Sequence, residues 1–118
     1  MNEMIIIFAV PSAPPNSIRA TGNSSTALWV AWSDVTFAHQ NGIIVNHKIN
    51  ITLGTSMHTE NSSLVVVAPG HIKGYIFSNL LKWTNYTVQV AASTVVGIGP
   101  FSVPVTGRTS QDSKLNCI

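Results

Sequence analysis

Apolar and polar positions alternate along most of this chain. The clearest case is residues 86–92: Tyr86, Val88, Val90 and Ala92 fall on one side, and Thr87, Gln89 and Ala91 on the other. A period of two predicts a half-buried strand. Residues 27–32, ALWVAW, repeat the pattern, with Leu28, Val30 and Trp32 on one face and Trp29 and Ala31 on the other. The Asn41-Gly42 turn launches a strand over residues 43–53, whose parity points His47 inward with Ile49 and Ile51. Residues 64–68, LVVVA, form a short apolar run ended by Pro69-Gly70, and residues 74–80, GYIFSNL, supply another strand through Tyr75, Phe77 and Leu80. The last strand falls in residues 103–109, marked as an edge by Pro104. The first begins within residues 11–20, where Pro11 and Pro14 guard a second edge, and a turn follows over residues 22–25.

Composition narrows the class. The 118 residues fit one domain, and only 8% are charged; surface polarity must come from 24 Ser and Thr and ten Asn, which suits strands and turns. The six Lys and Arg are scattered, so no stripe exists to neutralise phosphates, and nucleic acid is not an expected partner. Cys117 is the single cysteine, so no internal disulfide can form. No apolar run reaches the ~20 residues that span a bilayer. Residues 1–10 read as a leader or linker: the MIIIFAV run is short, preceded by Glu3 and followed by prolines. Residues 110–118 read as a linker or tail.

Spacing then adds a specific mark. Leu80, Tyr86, Val88, Val90, Ala92, Thr94, Gly97, Gly99, Pro100 and Ser102 form the pattern L-x5-Y-x-V-x-V-x-A-x-T-x2-G-x-GP-x-S, which resembles the sixth strand and following loop of a fibronectin type III domain. The resemblance covers residues 11–109 and implies an all-β, seven-stranded immunoglobulin-like Greek-key sandwich with no disulfide. It places Trp32, Leu80, Tyr86, Val88 and Val90 in the core. A tyrosine at this corner sends its hydroxyl to a backbone group upstream, here between Leu80 and Lys82. Two positions depart from the family pattern: His47 replaces a tyrosine and is expected as a partly buried, hydrogen-bonded core histidine, and Lys82 replaces a corner proline.

Chemistry for catalysis is absent from the pattern. Glu3, Asp34, Glu60 and Asp112 lie in termini or loops, and the histidines at 39, 47, 58 and 71 have neither i, i+4 pairing nor neighbouring cysteines, so neither a metal nor a cofactor is expected. One signal remains. Asn-x-Ser/Thr occurs at Asn23, Asn50, Asn61 and Asn85, where about two such acceptors would arise by chance. Parity puts Asn50 and Asn85 on outer faces and the other two in turns. With the resemblance, this implies a non-catalytic extracellular binding or spacer module of a larger cell-surface receptor or adhesion protein. The NGII and VGIGPFS phrases are similar to modules of receptor tyrosine phosphatases and neural adhesion proteins. Protein partners and neighbouring modules are expected, with the isolated domain monomeric and outside the membrane. The alternative is an accessory module of a secreted carbohydrate-active enzyme, in which Trp29 and Trp83, the surface-contact candidates, stack on sugar rings.

Overall fold

The computed structural model describes residues 9–54 and 63–111. Expectations for residues 1–8, for Asn61 and its turn, and for the tail with Cys117 lie outside these residues. The described chain forms β1 (Asn16–Ser24), β2 (Ala27–Ser33), a one-turn helix α1 (Phe37–Gln40), β3 (Asn46–Leu53), β4 (Ser63–Pro69), β5 (Gly74–Phe77), β6 (Asn85–Ser93) and β7 (Val105–Arg108). Two antiparallel sheets, β1-β2-β5 and β4-β3-β6-β7, pack face to face as a Greek-key sandwich. Leu28, Val30, Trp32 and Phe77 from the first sheet meet Ile49, Ile51, Tyr86, Val88 and Val90 from the second. Each fully buried Val or Leu contributes about 1.5–3 kcal/mol relative to exposure, and alternation selects which side chains do so.

Several boundaries differ from the sequence expectation for identifiable reasons. β3 starts at Asn46 rather than residue 43: Asn46 pairs with Pro69 on one side and Ser93 on the other, and Val45 makes the last bonds to the two sides, from its N–H to the Ser93 carbonyl (2.8 Å) and from the Gly70 N–H to its carbonyl (3.0 Å). β1 runs through the anticipated turn at residues 22–25 to Ser24, with a register shift between Gly22 and Ser24. β5 stops at Phe77, since Asn79 takes a left-handed conformation (φ 60°) that leads into the corner. The helix α1 was not foreseen; Asn41 ends it with φ 58°, a conformation asparagine tolerates. Pro11 and Pro14 precede β1 and Pro104 precedes β7, so none lies within a ladder as an edge guard. β6 is buried on both faces instead of one: Thr87 and Ala91 are as enclosed as Val88 and Val90. It lies between β3 and β7, and the Thr87 hydroxyl donates to the Gly54 carbonyl at 2.7 Å, closing its outer side.

His47 is 0% exposed, its ring tilted against Trp32 with centroids 5.2 Å apart. Contrary to expectation it is not hydrogen-bonded through its ring: neither Nδ1 nor Nε2 has a partner, and the same holds for Trp32 Nε1. Burial pushes the His47 pKa below its ordinary 6.5; the charge of Asp34 and the nearby Pro69 backbone oppose this more weakly. The folded state therefore excludes the imidazolium while the unfolded chain accepts it. Stability from the neutral ring is complete above the unfolded pKa and falls as pH drops from about 6.5 toward the lowered folded pKa. Urea midpoints of the wild type should decline from pH 7.5 to pH 5, and His47→Phe should flatten that slope. An equal slope in both proteins would assign it to other groups.

Candidate interaction surface

Two loops meet at one pole of the sandwich. The first, residues 34–45, leaves β2 and carries α1; the second, residues 94–104, connects β6 to β7. Residues 9–12 run between them. The Ala9 N–H donates to the Asn41 carbonyl (3.0 Å), the Ser12 N–H to the His39 carbonyl (2.9 Å), and the Thr94 hydroxyl to the Ala9 carbonyl (2.7 Å). Pro11 presses so closely on Gly99 that a Cβ there would stand 2.6 Å from the Pro11 carbonyl oxygen, a contact only glycine allows.

Ser102 fixes the second loop to the sheet, a role that alternation could not reveal because it depends on which strand the loop folds back upon. Its hydroxyl accepts from the Val90 N–H (3.0 Å), its own N–H donates to the Val90 carbonyl (2.9 Å), and its carbonyl accepts from Gln89 Nε2 (2.9 Å). On this frame Phe37, Ile43, Val95 and Val103 project outward, Phe37 at 87% exposure and Val95 at 77%. A cleft of about 750 Å³ opens beside α1, lined by Phe37, Gln40, Ile43, Ile44 and His71 and flanked by the Asp34–Lys73 ion pair (3.1 Å). Both partners are about half exposed, so the pair adds at most a few tenths to 1 kcal/mol.

The tryptophans occupy different settings. Trp29 is 40% exposed on the outer face of β2, and its ring lies across Gly74, where a Cβ would stand 2.4 Å from the indole. It covers its own sheet as much as it faces solvent. Trp83 is 54% exposed and has φ 48° in the corner before β6. The guanidinium of Arg108 stacks over its ring, 4.7 Å from the centroid, and Arg108 Nε donates to Asn85 Oδ1 at 2.9 Å.

Of the acceptor asparagines, Asn23 is exposed at the β1 register shift. Asn50 and Asn85 are half-buried, and Asn50 Oδ1 is enclosed without a partner between β4 and β6. In the core stand Trp32, Tyr86, Val88 and Val90, with Leu80 packed partly buried against them. The Tyr86 hydroxyl accepts from the Leu81 N–H at 2.8 Å. Thr109, not singled out by sequence, holds the same corner: its hydroxyl donates to the Leu81 carbonyl (2.8 Å) and accepts from the Thr84 N–H (2.9 Å). Among the described residues no three His, Cys, Asp or Glu side chains come together in a group that could hold a metal ion.

A sandwich presenting loops at one pole is the architecture of a β-sandwich module. The fibronectin type III domain model matches residues 13–108, and the chain belongs to that family. It is 37% identical over 106 residues to Protein sidekick-1 of Gallus gallus and 31% identical over 103 residues to Tyrosine-protein phosphatase Lar of Drosophila melanogaster. These matches span 89% and 87% of this chain but only 5% of each relative's length. Among solved structures, the third fibronectin III domain of human KIAA0343 protein superposes with TM-score 0.76 at 20% identity, covering 96% of this chain and 92% of that one. The FN5 domain of Drosophila Lar superposes with TM-score 0.67 at 24% identity, covering 86% and 98%. This chain is thus a non-catalytic module, and the phosphatase in its relatives' names is not carried over by a match of about a hundred residues.

Proposed function

We propose that this domain is an extracellular binding or spacer module of a larger cell-surface receptor or adhesion protein, and that it contacts protein partners through the pole built by residues 34–45 and 94–104. The observation that carries this is the exposure of Phe37, Ile43, Val95 and Val103 on loops held by a hydrogen-bonded frame. Apolar side chains grouped on rigid loops favour a protein contact over solvent. The sidekick and Lar relatives support the setting, as do the acceptor asparagines at positions 23, 50, 61 and 85.

A loop variant, Phe37→Ser with Ile43→Ser and Val95→Ser, tests the surface. It should keep the wild-type stability in urea denaturation to within the range of ordinary surface changes, about 0.5 kcal/mol, and lose at least tenfold in affinity in a binding screen against cell-surface ectodomains. Retained binding by this variant would move the contact elsewhere. Sedimentation should show a monomer even though Leu64, Val65 and Val67 lie exposed on the β4 edge. Glycan mapping of chain secreted from animal cells should find Asn23 occupied; bare acceptors throughout would overturn the extracellular setting.

A further inference from the structure

Trp83, Asn85 and Arg108 make an arrangement that core packing does not explain. Trp83 holds a left-handed backbone that costs any residue with a Cβ, and it spends that cost in keeping a large apolar ring more than half exposed. It stands two residues before Asn85, in Trp83-Thr84-Asn85-Tyr86-Thr87, whose Asn-x-Thr is an acceptor of N-linked sugar. Arg108 joins the two, stacked on the indole and bonded through Nε to Asn85 Oδ1. Because a guanidinium only donates, the carboxamide atom facing it must be the oxygen. Nδ2, the atom that bears a glycan, is then turned away from Arg108. Thr87, whose hydroxyl an acceptor site requires, is 1% exposed and bonded to Gly54, so transfer has to precede pairing of β6, and the folded domain must then house the sugar.

We infer that Trp83 is a platform for the first N-acetylglucosamine of a glycan on Asn85, with Arg108 fixing both the carboxamide and the ring. The C–H groups of a pyranose ring carry partial positive charge and suit the negative face of an indole. Arg108 holds that indole on one face through its cation–π contact, which leaves the exposed remainder for the sugar. This inference rests on the extracellular setting proposed above, and it gives Trp83 a task within the domain in place of the external sugar ligand of the alternative function.

The test uses the full chain secreted from animal cells, with glycans trimmed to a single N-acetylglucosamine. Nuclear magnetic resonance of the trimmed wild type should show sugar protons at Asn85 shifted upfield by the indole ring current and in contact with it. Compared with Asn85→Gln, the trimmed wild type should have a urea midpoint higher by about 0.5 M; Trp83→Ala should keep the sugar and lose that gain. An Asn85 that is bare while Asn23 is occupied would overturn the platform and leave the extracellular setting intact. Acceptors bare at every position would overturn both. Sugar protons without ring-current shift, or an equal gain in Trp83→Ala, would overturn the platform alone.

Discussion

Replacing Trp32 with alanine should cost about 3–5 kcal/mol, the largest single loss in this domain. The ring is 4% exposed at the end of β2 and touches the His47 ring across the sandwich. Removing it leaves a cavity between the two sheets that β2 cannot close by shifting, because the β1 and β5 ladders hold it on both sides. The unpartnered Nε1 means that no hydrogen bond is lost with the ring, so the whole effect is packing. Trp32→Phe should therefore cost much less than its reduction in size suggests, since it also removes a buried, unsatisfied donor. Chemical denaturation of the two variants checks the ordering; similar losses for Phe and Ala would show that the indole does more than fill space.

Tyr86→Phe should cost about 1–3 kcal/mol with the fold intact. The ring stays in the core, and what disappears is the acceptor for the Leu81 N–H at 2.8 Å. That N–H lies in a corner with few alternatives, because the Thr109 hydroxyl already serves the Leu81 carbonyl and the Thr84 N–H. Amide hydrogen exchange at Leu81 should accelerate along with the fall in denaturant midpoint. An unchanged midpoint and an unchanged Leu81 amide would make the hydroxyl incidental.

Alternation made the strands and the core legible in the sequence, for it is the record of two sheets burying one face each. It misplaced the start of β3, where the limit is set by the neighbouring strands, and the end of β5, where Asn79 turns left-handed into the corner. It also gave β6 an exposed face, since parity cannot tell that a strand lying between two others has its outer threonine closed by a loop carbonyl. The hydrogen-bonding side chains that shape the surface, Ser102, Thr109 and Arg108, left no periodic trace. Each acts on a partner 12 to 28 residues away, a relation visible only once the strands are registered. Trp29 and Trp83 looked equivalent by exposure; Gly74 beneath one ring and Arg108 over the other separate them.

The strap formed by residues 9–12 has a mechanical consequence. β1 and β7 lie side by side and run the same way, Ala20 against Gly107 and Ser24 bonded to Ser110. Tension applied at residue 9 pulls β1 toward the loop pole, while tension at residue 111 pulls β7 toward the opposite one. The two strands are loaded in shear, and the Ala9–Asn41, Ala9–Thr94 and Ser12–His39 bonds sit in series ahead of them. Under stretching, the strap yields first and lengthens the domain by a few residues, and the β1 ladder then resists as a block. The loops that present Phe37 and Val95 are tied to that strap, so a pull on the chain reaches the contact surface before it reaches the core.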